Sequence, residues 1–246
     1  MNRENLFSDL LQTFDMTPDS YNKYEKFYNS DFSAYGNEVY ADIQTRLVHL
    51  RNFWNEDNWF NQRLRPLFDL YQNYDQIIDY GYSLPYLHLY LADRDELNRA
   101  PECIYIDSER SSETVTKAIL YHLDTTAHIV IGDIQIPDVF EEISKITQRN
   151  TKRLHVALET IEHLTEPEAF WKQLQRFIGD DILISLPIGP KIPSHELVFE
   201  DTKQIEAYLS PYIKTIHSYQ YAPNTKSVKN IDEFSLVVTY GIIKEL

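Results

Sequence analysis

With 246 residues, 43% of them hydrophobic, the chain is long enough to bury a sizeable core in one large domain, or in one domain with a small lobe. Its formal charge of −15 repels phosphate backbones and argues against a nucleic-acid partner, while the single cysteine, Cys103, excludes a disulfide framework or a thiolate zinc cluster. No stretch approaches the roughly 20 apolar residues of a membrane-spanning helix, and the opening residues lack a basic segment followed by an apolar one, so a cytoplasmic protein without a membrane partner is expected.

Residues 1–75 carry turn signals and tyrosines early on, then a long helical pattern over residues 37–71. There Leu47, Leu50, Trp54, Leu64, Leu67, Phe68 and Tyr71 recur at three- and four-residue steps, the stripe of a helix laid on a core. This segment reads as an N-terminal helical lobe, with Trp54, Trp59, Phe60 and Tyr71 as packing residues or, alternatively, a lid over a ligand. Residues 76–246 read as one α/β domain. Short apolar runs at 77–78, 103–106, 129–131, 154–158 and 182–186 alternate with helical segments, as in a parallel sheet covered on both faces. Cys103 falls in one of these runs, as a small buried hydrophobe would.

The first four runs end at Asp79, Asp107, Asp133 and Glu159, which lie 28, 26 and 26 residues apart by subtraction of their numbers, one βα unit each. In an open α/β sheet the ligand crevice lies beyond the carboxyl ends of the strands, so the four acids either gather around one site or each cap the next helix. After the fifth run come Pro187, Pro190 and Pro193, a loop expected not to continue a central strand because proline offers no ladder donor. A helix over 202–209 follows, then two strand-like runs, 212–219 and 234–240, as a long-looped antiparallel pair.

This order of motifs resembles the class I S-adenosylmethionine (SAM)-dependent methyltransferases, particularly the ubiquinone-biosynthesis-type O-methyltransferases and their small-molecule relatives, over roughly residues 66–240. The most specific stretch runs from Val156 through Glu159, Glu162, His163 and Pro167 to Phe170, similar to the family's fourth strand and following helix. The segments Gly179 to Pro187 and His195 to Phe199 resemble the fifth strand and the stretch after it. The resemblance implies a Rossmann-like, mostly parallel seven-stranded sheet with a final antiparallel strand, and SAM as cofactor. The first motif departs from the family: of its glycine-rich turn only Gly81 remains, with Tyr82, Ser83 and Pro85 around it.

By this resemblance Asp79, Gly81, Tyr82 and Ser83 would border the methionine of SAM, and Asp107 with Ser108 the ribose. Gly132, Asp133 and Ile134 would meet the adenine, and Glu159, Thr160 and Ile161 the floor below the methyl group. Glu162, His163 and His195 are the candidate catalytic residues, a near-neutral histidine being suited to take a proton from an attacking hydroxyl; alternatively Glu162 and His163 stabilise the first turn of a helix. A zinc site on Glu159, Glu162 and His163 is not expected, since no HExxH pair occurs. The implied function is methyl transfer to an O or N atom of a small molecule, glycan precursor or peptide chosen by the lobe and the loop 187–199, in a chain that could oligomerise. The alternative is a noncatalytic interaction protein that kept the fold and lost the cofactor, favoured by only 6 glycines and by 18 tyrosines, an interface-prone residue type.

Overall fold

The structure, a computed structural model, describes residues 1–30, 39, 41–55, 58–147, 150–221 and 235–246, with residues 59–60 described for backbone only. Seven strands make one sheet: β1 (Gln76–Tyr80), β2 (Glu102–Asp107), β3 (His128–Ile131), β4 (Arg153–Leu158), β5 (Asp181–Ile188), β6 (Ile213–Tyr221) and β7 (Ser235–Ile243). Their order is β3-β2-β1-β4-β5-β7-β6. β1 to β5 run parallel, and β7 lies antiparallel between β5 and β6. This is the Rossmann-like arrangement expected of the sequence, with its order reversing at β1.

Helices α1 (Arg3–Thr13), α2 (Pro18–Ser30), α3 (Ile43–Trp54) and α4 (Arg65–Leu70) precede the sheet. α5 (Tyr86–Ala92), α6 (Arg110–His122), α7 (Pro137–Ile146), α8 (Pro167–Leu174) and α9 (Thr202–Leu209) follow in the crossovers and before β6. The central strands are buried on both faces, so they read as continuous apolar runs rather than alternating ones. Ile77, Cys103, Tyr105, Leu154 and Val156 face a cluster that also holds Leu10, Tyr21, Leu47, Leu50 and Ile119, so α1, α2, α3 and α6 share one core with that face. Ile78, Ile104, Ile106, Ala157 and Ile184 face the other cluster, with Phe140, Trp171 and Ile205 from α7, α8 and α9. Cys103 is buried, as expected, and burial pushes its thiol up to about 12.

Two expectations are corrected. The helical pattern of residues 37–71 is broken rather than continuous: α3 stops at Trp54, and a 3₁₀ turn over Trp59–Leu64 leads into α4. The amide of Asn61 donates to the carbonyls of Asn52, Phe53 and Asn55, which satisfies the open end of α3 and fixes the break. Pro187 lies inside β5, not beyond it, paired with Leu236 of β7. β4 ends at Leu158, opposite Ser185, so past that point β5 has a ladder on one side only and a missing N–H there breaks no pairing. The antiparallel pair comprises β6 and β7; residues 222–232 and 234, part of the expected loop and strand, lie outside the described residues, as do the side chains of Trp59 and Phe60.

Candidate functional site

Strand order reverses at β1, and in an open α/β sheet that reversal places the expected ligand crevice beyond the carboxyl ends of the strands that flank it, here β1, β2 and β4. Asp79 stands in β1 one residue before its end, buried. Burial raises its carboxyl pKa well above the usual carboxylate range, the Arg63 guanidinium pulls it down and the charge of Asp107 pushes it up. A carboxylate in this condition suits a cationic partner.

The chain leaves β1 through Gly81, at φ +66, whose N–H donates to Ile106 O at 2.7 Å. A Cβ at Gly81 would lie 2.5 Å from Thr160 Oγ1, so only glycine fits between β1 and the turn after β4. Gly81→Ala combines that overlap with a left-handed backbone and is expected to lower the unfolding free energy by about 2–4 kcal/mol, read as a lower urea midpoint at unchanged slope. Ser83 follows at φ +56, and its N–H donates to Asp107 Oδ2 at 3.3 Å. Asp107, at the end of β2, also accepts from Glu109 N–H on Oδ1 and from Ser112 Oγ on Oδ2. That leaves one lone pair of Oδ1 for a hydroxyl of a ligand.

Beyond β4 the chain makes a tight turn. Glu159 takes φ +54, and Ser185 holds it by accepting from the Glu159 N–H and donating to its Oε1, both at 2.8 Å. Ile161–His163 form one 3₁₀ turn, separate from α8, which begins at Pro167. Glu162 and His163 are therefore not in the first turn of a helix that their charge would stabilise. Glu162 is wholly buried, and neither carboxylate oxygen meets a donor in hydrogen-bonding geometry among the described residues. Burial, then the neighbouring charge of Glu159, raises its pKa well above the ordinary value; backbone amides of its own turn, too poorly aimed to bond, offset only part.

The loop after β5 folds back onto this turn. Glu196 and Leu197 N–H both donate to the Glu162 carbonyl, at 2.7 and 3.1 Å, and Phe199 bridges to Ile188. This places His195 edge-to-face against His163, ring centroids 4.9 Å apart. His163 Nδ1–H donates to Ser194 O at 2.7 Å, which makes Nε2 its lone-pair nitrogen. Burial lowers the pKa of both rings, that of His195 to about 4 with the charge of His163 adding to the effect, so both are neutral at pH 7. One donor atom from each of Glu162, His163 and His195 lies within 4.8 Å of the others, a set that could hold a divalent cation. The third donor comes from a loop far along the chain, which no local motif such as HExxH reports.

The remaining residues singled out from the sequence have mixed positions. The rings of Tyr82 and Tyr105 are 4.9 Å apart in the core. Thr160 donates to the carbonyls of Tyr80 and Leu158, tying β1 to β4, and Ile161 is core. Asp133 accepts from the backbone and side-chain amides of Gln135, the turn-capping role. Gly132 N–H donates to Asp107 O, Ile134 is buried in the α7–α9 cluster, and Ser108 is exposed beside Asp107. Three polar residues of the N-terminal segment reach the crevice unannounced. Arg46 and His49 bond the Ser83 hydroxyl at 2.9 and 2.8 Å, and the charge of Arg63 is felt by Asp79, Glu159 and Glu162 alike. The signal for Arg46 is a charged residue in an apolar stripe: Thr45, Arg46, Leu47 and Val48 are all buried on α3.

No family model matches the sequence, and no curated protein sequence matches it significantly. Solved structures do match. A protein from Thermobifida fusca YX, provisionally named a methyltransferase, is 11% identical with a TM-score of 0.54, over 98% of this chain and 94% of its own. The StiE O-MT segment 961–1257 is 12% identical with a TM-score of 0.52, over 82% of this chain and 77% of its own. The [4+2]-cyclase SpnF is 8% identical with a TM-score of 0.53, over 77% and 81%. Likeness at such sequence distance carries the backbone and not the reaction; what it establishes is that this chain has a class I methyltransferase-like fold.

Proposed function

We propose that the chain is a SAM-dependent methyltransferase acting on an oxygen or nitrogen of a small molecule, glycan precursor or peptide. The observation that carries this reading is Glu162, a wholly buried carboxylate without hydrogen-bond partners among the described residues, set against two neutral histidines at the mouth of a crevice already rich in acids. Burying such a group costs several kcal/mol unless a ligand compensates it, so its place marks a site rather than a scaffold. Asp79, Asp107, Glu159 and Glu162 lie within electrostatic reach of Arg46 or Arg63, and burial raises the pKa of Asp79, Glu159 and Glu162, so the ammonium and sulfonium of SAM would draw these acids into the charged form on binding.

Asp79 would hold the ammonium and Asp107 a ribose hydroxyl, while the narrow Gly81–Thr160 contact brings backbone close to the cofactor. SAM supplies an electrophilic methyl group. An acceptor oxygen or nitrogen held in line would take that methyl group and leave the demethylated cofactor, its own proton passing to a neutral imidazole of His163 or His195, with Glu162 stabilising the charge that results. The same three side chains fit a divalent cation, which when bound would polarise the acceptor oxygen.

Calorimetry with SAM and with its demethylated product tests the first step. Micromolar or tighter binding, worth about 8 kcal/mol, is expected; absence of heat and of any thermal shift with both ligands would leave a noncatalytic protein on a methyltransferase-like fold.

A further inference from the structure

The turn after β1 carries a conformation its sequence does not favour. Ser83 sits at φ +56, left-handed backbone that glycine adopts freely and serine adopts only when its surroundings hold it there. Its own N–H contributes a long bond to Asp107, 3.3 Å. The stronger grip comes from α3, through the hydroxyl: Arg46 Nη1 donates to Ser83 Oγ at 2.9 Å and His49 Nδ1 lies 2.8 Å from it. Arg46, only 3% exposed, also donates through Nε to Ser111 Oγ at 3.1 Å, in the first turn of α6. One guanidinium thus joins the turn after β1 to the helix that follows β2. Behind it, Tyr28 of α2 holds His49 Nε2 at 3.0 Å, and burial with the charges of Arg46 and Arg63 keeps that ring neutral.

We infer that Arg46 and His49 are positioning residues for the cofactor site: by clasping the Ser83 hydroxyl from α3 they hold the β1 turn, and Asp107 with it, in ligand-binding shape. They replace from outside what a glycine-rich turn supplies through its own freedom. Cofactor affinity then depends on how α3 is docked, and a bound cofactor stabilises that docking in return. The inference rests on the SAM-binding reading above.

The test is a double-mutant cycle on the full chain with S-adenosylhomocysteine as ligand. Arg46→Gln is expected to weaken binding about tenfold or more and His49→Gln by a smaller factor relative to wild type, and Ser83→Gly supplies the second reference affinity of the cycle. In the Ser83→Gly background both α3 substitutions should cost less than about threefold, because glycine no longer needs the clasp. A role of Arg46 in general stability, or direct contact with the ligand, gives the same loss whichever residue occupies position 83, and that result overturns the inference. So does full affinity in both α3 single variants. If Arg46→Gln does not fold, His49→Gln carries the cycle alone. Hydrogen exchange of the peptide covering residues 80–87, without ligand, separates the two readings. Faster exchange in His49→Gln than in wild type, with no added effect in Ser83→Gly, supports the clasp even when no variant binds the nucleoside; unchanged exchange overturns it even when all of them do.

Discussion

Asp79→Asn is expected to abolish most SAM binding while stabilising the ligand-free protein progressively as pH rises. The carboxyl of Asp79 has its pKa raised by burial, with Arg63 offsetting and Asp107 adding to the rise. A group whose folded-state pKa lies above its unfolded value keeps its proton longer in the native state. Between the two values the native state binds more protons, so wild-type stability falls as pH climbs through that window, by up to ~1.4 kcal/mol per pH unit. Asparagine does not titrate and escapes this loss. The difference in melting temperature, variant minus wild type, should therefore be smallest near pH 4 and increase toward pH 8, at roughly 2–4 °C per kcal/mol for a chain of this size. Affinity for S-adenosylhomocysteine should fall about 30-fold or more, since an ammonium loses its one ionic partner in a dry crevice. A pH-independent difference in melting temperature would show that Asp79 is already ionised and compensated in the free protein, with Arg63 as its partner. Retained affinity would remove it from the cofactor site.

A buried acid that lowers stability in this way is the cost expected of a site that serves binding. The backbone is largely legible in the sequence for a simple reason. Strands covered on both faces must be apolar throughout, so five short runs with helical segments between them read directly as β1 to β5. The helix expected over 202–209 is capped by Asp201, whose Oδ1 accepts from Gln204 N–H at 2.9 Å. Pro187 misleads because the rule about proline concerns strands paired on both sides, and β5 outlasts β4 at that end.

The site is legible only in part. Glu162, His163 and His195 can be named as candidates, but their meeting depends on two backbone bonds from Glu196 and Leu197 to the Glu162 carbonyl, and a sequence does not show such long-range pairing. The four strand-end acids look equivalent by spacing alone, whereas Asp133 is turned to Gln135 and Asp79 is buried within reach of the charges of Arg63 and Asp107. Arg46 and His49 are hidden because helical periodicity grades a face by its apolar residues. A buried guanidinium then looks like an imperfection in the stripe rather than the side chain that ties two turns together.

The chemistry itself is most sharply tested at Glu162 and His195. If Glu162, His163 and His195 act on the acceptor as proposed, Glu162→Ala and His195→Ala should each lower methyl transfer by about 10²–10⁴-fold while leaving affinity for S-adenosylhomocysteine within about threefold. The double variant should be hardly slower than either single one, since the three act as one unit. Whether the unit works as a proton acceptor or through a cation is separable in the same proteins. Two imidazoles and one carboxylate favour a first-row divalent ion over Mg²⁺ or Ca²⁺. If the cluster holds such an ion, micromolar Mn²⁺ or Zn²⁺ raises the melting temperature of the wild type but not of His195→Ala, and a chelator removes activity that the ion restores. If it acts as a base alone, the chelator changes nothing, and where His195 is that base the rate rises with pH as it loses its proton near pH 4 rather than near 6.5, because burial has lowered its pKa to about 4. Wild-type rates in both single variants would contradict both versions together, and would move the acceptor's proton to a group outside this cluster.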